Sequence, residues 1–301
     1  MGSNNTPLRR SQELWIDHLK GHGHSAKTRQ VYGQALRLLD RSLSECGRTR
    51  PADVTAADLR AWWDELKSRE LSPATLCVYL RAARGWFRWL LNAGEIFLDP
   101  TADLRAPCDK RRVPWVPTVG EMKQLLESVD SSGPEGVRDR AILETMYATA
   151  LRRHEIAGMK LGDVDLDGGS ARVLGKGNRE RVVPLTRVAT DWLKQYLQSA
   201  RGSLLQGRES PEHLWLNLRG RPLAAGSLGL IVKQRASAVG LKALTPHSLR
   251  RACATHLLVN GANPAELQLL LGHATLKHLS QYLQLGFKEL QSEHARSKPG
   301  K

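Results

Sequence analysis

The sequence predicts a mainly α-helical protein of two domains: an all-helical N-terminal domain, then a helical domain carrying a small antiparallel β-sheet. Three observations lead there. The chain has 301 residues, enough for two cores on the usual scale of about 100–200 residues per domain. Apolar residues recur at three- and four-residue spacing along most of it, and strand composition is concentrated in one short stretch around residues 171–183. Between Pro100 and Pro117 four prolines and the run Lys110-Arg111-Arg112 interrupt every periodicity, the mark of a stiff basic linker. The boundaries drawn are 1–107 for the first domain, 108–117 for the linker and 118–301 for the second.

The first domain reads as four helices. The first, near Leu8–Lys20, stops at Gly21-His22-Gly23-His24, and Ser25 caps a second with Val31, Leu36, Leu38 and Leu39 on its apolar stripe. Thr55 opens a third through Leu59, Trp62, Trp63 and Leu66. Ser72-Pro73 is an N-cap followed by a proline at the first helical position, and starts a fourth through Leu76, Tyr79, Leu80, Ala83, Phe87 and Leu90. Arg81, Arg84 and Arg88 interleave with Trp86 and Trp89 on that helix, which is either a solvated basic face or a nucleic-acid contact.

In the second domain Thr118 caps a helix carrying Met122, Leu125, Leu126 and Val129, and another runs through Ala141, Ile142, Met146 and Tyr147. The period then changes. Ala171–Leu174 and Arg181–Val183 flank Gly175-Lys176-Gly177-Asn178 and predict a β-hairpin. Helices resume at about Val188 and, apart from the apolar piece Leu214-Trp215-Leu216, continue to the end.

Lys and Arg number 45 against 30 Asp and Glu, a net charge of +15, which points to a polyanionic partner, nucleic acid first. No apolar run approaches the roughly 18 residues of a membrane-spanning helix, and Met1–Arg10 contains no apolar signal core. A soluble, cytoplasmic protein is expected. The four cysteines, Cys46, Cys77, Cys108 and Cys253, form no CxxC pair, which argues for buried thiols in a reducing compartment rather than disulfides or a zinc ribbon. GxxxxGK[ST] is absent, so Lys176 gains no support as a nucleotide-binding lysine, and no cofactor or metal is expected.

Thr245-Pro246-His247-Ser248-Leu249-Arg250 begins a helix whose core-facing stripe, Ala254, Leu257 and Leu258, is shared by His247 and Arg250. A guanidinium there needs an anion: an internal carboxylate, or a ligand at the helix N-terminus. Asn263-Pro264-Ala265-Glu266 opens the next helix, which stops at Gly272, immediately before His273. Tyr282 flanks a stripe made by Leu276, Leu279 and Leu283. Each of these residues alone has an ordinary structural explanation.

Together Arg152, Lys176, the His247-x-x-Arg250 pair, Leu271-Gly272-His273 and Tyr282 resemble, in order and spacing, the tyrosine recombinase (phage integrase) family, and most closely its bacterial Xer-like branch. The flanking words match too: Ala150-Leu151-Arg152 before Glu155, Arg179-Glu180-Arg181 before Val183-Pro184-Leu185, and Ala254-Thr255-His256-Leu257-Leu258 before Asn260-Gly261. The helical first segment is similar to that family's SAM-like core-binding domain. Two departures stand out. Arg153 and His154 replace a small apolar residue and Ser, and Arg251-Ala252-Cys253 replaces the usual His-Ser/Thr-Phe-type run.

The resemblance implies a site-specific DNA recombinase working without metal or ATP. Tyr282 would attack the scissile phosphate to give a 3′-phosphotyrosyl link and a free 5′-hydroxyl. Arg152 and Arg250 would clamp the phosphate, His247 would accept or position the phenol proton, Lys176 would protonate the leaving oxygen, and His273 would hydrogen-bond the phosphate. It further implies a tetramer on two double-stranded DNA sites with inverted half-sites, paired with itself or a related recombinase, and Phe287 to Arg296 as a C-terminal helix for exchange between protomers. Lys27, Arg29, Arg81, Arg84, Lys110, Arg111 and Arg112 are the DNA-contact candidates. The alternatives are a type IB topoisomerase, a catalytically silent DNA-binding protein, and a metallohydrolase using His247, Cys253 and His256.

Overall fold

The computed structural model describes residues 6–107, 114–175 and 179–272. The chain divides into two compact units, residues 1–112 and 113–301.

The first unit is built of α1 (Pro7–Gly21), α2 (Ala26–Glu45), α3 (Ala56–Ser68) and α4 (Pro73–Asn92). Each starts on a hydroxyl that accepts from the main-chain N–H three residues on: Thr6 from Arg9, Ser25 from Thr28, Thr55 from Asp58 and Ser72 from Thr75. Such caps satisfy N–H groups that the first turn leaves without a carbonyl. The four apolar stripes meet in a core of Leu8, Leu36, Leu39, Leu59, Trp62, Trp86 and Phe87, all buried. Trp15 of α1 stacks on Tyr32 of α2, ring centroids 5.7 Å apart, and its indole lies against Gly85 of α4.

The second unit is organised round α6 (Pro134–Thr149), which follows α5 (Val119–Glu127). Val137, Ala141, Ile142 and Met146 are buried, and so are Arg138, Asp139, Glu144 and Thr145 on its other faces, so α6 is enclosed on all sides. Charge at such depth needs a partner. Asp139 accepts from Arg138 and from Arg235, both at 2.7 Å, and Glu144 pairs with Arg140 at 2.8 Å. A short helix α7 (Arg153–Ala157) leads to a three-stranded antiparallel sheet, β1 (Val164–Asp165), β2 (Ser170–Leu174) and β3 (Glu180–Pro184), with Ala171 opposite Val183 and Leu174 opposite Glu180.

Helix α8 (Arg187–Gln195) passes through a π-turn at Tyr196–Ala200 into α9 (Arg201–Leu205). The buried Tyr196 hydroxyl donates to the Leu214 carbonyl and accepts from the Leu216 N–H, both at 3.1 Å, and burial pushes the phenol up to about 12. The apolar piece 214–216 is therefore held by a tyrosine and by single bridges rather than as a strand. Helices α10 (Ala225–Ala238), α11 (Pro246–Val259) and α12 (Pro264–Leu271) complete the described chain. The mainly helical class with one small antiparallel sheet agrees with the sequence reading; β1, two residues long, carries no alternation and was not anticipated. No described helix is long and apolar enough to cross a membrane.

Candidate active site

Of the six candidate catalytic residues, Arg152, His247 and Arg250 are described, and Lys176, His273 and Tyr282 lie outside the described residues. Outside them too are Lys110, Arg111, Arg112 and the segment Phe287 to Arg296.

Thr245 caps α11, its hydroxyl accepting from the Ser248 N–H at 3.1 Å, with Pro246 in the first turn. His247 therefore sits on the opening turn and Arg250 one turn further in. Arg250 is 3% exposed. Its Nη1 donates to the Ala150 carbonyl at 2.5 Å and its Nη2 to the Leu271 carbonyl at 2.6 Å. Ala150 ends α6 in the left-handed conformation, φ 51°, two residues before Arg152; Leu271 ends α12, two residues before His273 in the sequence. One guanidinium thus ties together two helix C-termini, where the dipole and unsatisfied carbonyls favour a cation. Among the described residues its partners include these two carbonyls, at the ends of two different helices.

Arg152 is the residue before α7 and remains about one-third exposed, with 32% of its side chain accessible. Its N–H donates to Glu155 Oε2 at 2.7 Å and its Nη1 to Oε1 at 3.1 Å. Arg181, on β3, brings Nη1 to Oε1 at 3.0 Å and Nη2 to Oε2 at 3.1 Å of the same carboxylate, and its Nε reaches the Leu270 carbonyl at 3.2 Å. Burial raises the Glu155 carboxyl, but the Arg181 and Arg152 contacts outweigh it and hold it below the usual range. Gly272, φ 58°, closes the assembly: a Cβ there would stand 3.0 Å from the Arg181 guanidinium carbon, so both the conformation and the close approach require glycine. A Cβ on Gly175, the last described residue before Lys176, would lie 3.1 Å from Arg181 Nη1 and 3.8 Å from Glu155 Oε1.

Glu155 and Arg181 thus join α7, the hairpin and α12, yet the sequence reading gave them no role. The available signal was weak: Glu155 stands three residues after an N-terminal helix boundary, the capping-box position, but the residue at the cap is Arg152 and not Ser or Thr.

His247 is surrounded by positive charge. Burial first, then Arg251, Arg250 and Arg152, pull its imidazole below the ordinary histidine value, so it is a neutral acceptor near pH 7. Cys253 and His256 are buried on α11. The Cys253 thiol is pushed up to about 12 by burial, His256 Nδ1 bonds the Tyr147 hydroxyl at 2.8 Å, and no group of three His, Cys, Asp or Glu among the described residues is placed to hold a metal.

In the first unit Lys27 and Arg81 are exposed, whereas Arg29 is half-buried beside α1 and Arg84 donates to the Leu104 carbonyl at 2.5 Å. Two paired guanidinium-bearing helix junctions beside an unprotonated imidazole make a site suited to an oxyanion with several acceptor oxygens.

Comparison with known proteins gives the same direction. The phage integrase family model matches residues 118–289, and that of the phage integrase N-terminal SAM-like domain matches residues 13–94. The chain is 33% identical over 279 residues to the tyrosine recombinase XerD of Halalkalibacterium halodurans, covering 92% of this chain and 93% of the relative. It is 35% identical over 292 residues to the tyrosine recombinase XerD of Pseudomonas aeruginosa, covering 95% and 94%. Its fold is similar to that of the XerH site-specific recombinase bound to a palindromic difH substrate in a post-cleavage complex, with a TM-score of 0.75, 22% identity, and coverage of 89% of this chain and 79% of that one.

Proposed function

Since this chain belongs to the phage integrase family of tyrosine recombinases and is a site-specific DNA recombinase of the Xer kind, we propose how its own residues divide the reaction. Tyr282 is the nucleophile: its phenol oxygen bonds to the scissile phosphorus, the bond to the 5′ oxygen breaks, and a 3′-phosphotyrosyl link and a 5′-hydroxyl result. A 5′-hydroxyl from the second duplex reverses the step and completes strand exchange. No bond energy is lost, so no nucleotide is consumed.

Arg152 and Arg250 set planar donor forks on the nonbridging oxygens, which gain charge as the phosphorus becomes five-coordinate. A phenol near pKa 10 is about one part in a thousand ionised at pH 7, so His247, held neutral, accepts or positions its proton. Lys176 protonates the departing oxygen and His273 donates to the same phosphate. Residues 1–107 bind DNA, with Lys27 and Arg81 the most available of the nominated cations, 108–117 link, and 118–301 carry the chemistry. The working assembly is a tetramer on two inverted-repeat sites in the cytoplasm.

The observation that carries this reading is Arg250 joining the carbonyls of Ala150 and Leu271, because these carbonyls immediately precede the segments bearing Arg152 and His273. It favours a recombination site over the metallohydrolase alternative, since guanidinium groups, not metal ligands, crowd the His247 imidazole. The test is a nicked suicide duplex carrying the recombination site: the wild-type chain forms a denaturation-resistant adduct, while Tyr282→Phe binds the duplex equally and forms none. An adduct in the variant refutes the assignment.

A further inference from the structure

His247 and Arg251 stand four residues apart on α11, the spacing that puts two side chains on one face a turn apart. Helical side chains lean toward the N-terminus, so Arg251 points back along α11 to the turn that holds His247. There it is fixed. Its Nη2 donates to Ser248 Oγ at 3.2 Å and to the Trp115 carbonyl at 3.4 Å, and Ser248 Oγ is itself bonded to Thr245 Oγ1 at 2.9 Å. The cap of α11, its first turn and the Trp115 carbonyl ahead of α5 therefore hold one guanidinium in place.

We propose that Arg251 is a positioning residue that keeps the His247 imidazole uncharged, by fixing a permanent positive charge over the first turn of α11. The proposal rests on His247 belonging to the reaction centre, as argued above. The other groups facing the imidazole act in the same sense: Arg250 on α11, Arg152 at the start of α7, and the positive end of α11 itself. The one described carboxylate at this junction, Glu155, is engaged by Arg152 and Arg181. Lys176, His273 and Tyr282 lie outside the described residues. Among the described charges acting on His247, Arg251 stands ahead of Arg250 and Arg152, after burial itself.

The consequence is chemical. An imidazolium cannot accept the phenol proton, so cleavage falls at acid pH as His247 protonates. By disfavouring that charge, Arg251 extends cleavage toward lower pH.

The experiment is an NMR titration of the imidazole in the histidine-labelled full-length protein without DNA, the His247 signal being assigned by its loss in His247→Gln. Arg251→Gln is expected to raise the His247 midpoint by about 0.3 pH unit or more, and Arg251→Lys to restore it most of the way. In the wild type, molar KCl is expected to raise the midpoint by screening, a measurement that needs no variant to fold. The acid limb of adduct formation on the suicide duplex moves to higher pH in Arg251→Gln by the same amount. An unchanged midpoint in Arg251→Gln, an equal shift in the Gln and Lys variants, or no effect of salt overturns the proposal. The titration is read without DNA, so its failure is separable from a failure of the recombinase reading, which would appear as a missing adduct in the wild type.

Discussion

The carboxylate of Glu155 receives both terminal nitrogens of Arg181 side by side, at 3.0 and 3.1 Å, across 26 residues of chain. With only 1% of the Glu155 side chain accessible, and with Arg152 on the same oxygens, this pair fixes the start of α7 against the hairpin and the end of α12. Glu155→Gln leaves two guanidinium groups facing a neutral amide in a buried place. Breaking one side of such a buried network costs about 3 kcal/mol, to be read as a lower midpoint in urea denaturation.

Acid should do the same in the wild type. The folded-state Glu155 carboxyl lies below its ordinary value, so its contribution is complete above the unfolded value of about 4.3 and is lost as pH falls through the folded one. The difference in stability between wild type and Glu155→Gln, measured by urea titration, should therefore shrink toward zero below about pH 4 and be constant above about pH 6.

Arg250→Lys and Arg152→Lys keep the charge but replace a planar fork by a single ammonium. Arg250 also serves the carbonyls of Ala150 and Leu271, so its variant is expected to lose this junction as well as the proposed clamp. Each is expected to retain duplex binding in a gel-shift assay and to lose roughly 100-fold or more in the single-turnover rate of adduct formation. Equal rates would remove the clamp from the account.

Cys253 is 4% exposed, its Sγ lies 3.8 Å from the Ala148 carbonyl, and its thiol is pushed up to about 12. At pH 8 about one thiol in ten thousand is ionised, so iodoacetamide should leave Cys253 unmodified in the folded protein while alkylating the exposed Cys46. Peptide mapping before and after denaturation reads the difference.

Gly85 is the point at which α4 admits Trp15. A methyl there would begin 2.7 Å from the indole ring, which is packed on Tyr32 and has no slack. Gly85→Ala, although it favours helix locally, should destabilise the first unit by about 1–3 kcal/mol in thermal or urea unfolding.

What the sequence made legible follows from which signals are local. Ser25, Ser72-Pro73, Thr118, Thr245-Pro246 and Asn263-Pro264 all cap helices as their spacing predicts, because a cap is decided within four residues. The hairpin was legible for the same reason, from two short β-branched runs round a glycine turn. The candidate residues Arg152, His247 and Arg250 were singled out by order and spacing. Glu155 and Arg181 were not, because an ion pair spanning 26 residues leaves no periodic trace, and each reads alone as a surface charge. The enclosed α6 was legible only on one face: Arg138, Asp139 and Glu144 look like a solvated side until Arg235 and Arg140 are seen to neutralise them.

The central claim is that Tyr282 carries the DNA in the covalent intermediate, within a site whose phosphate clamps are Arg152 and Arg250. The most direct measurement is mass-spectrometric mapping of the adduct trapped on a suicide duplex, after nuclease and protease digestion. The account predicts a single modified peptide, with a nucleotide 3′-phosphate on the Tyr282 oxygen. A nucleotide on any other residue, or a 5′-phosphate linkage at Tyr282, would contradict it.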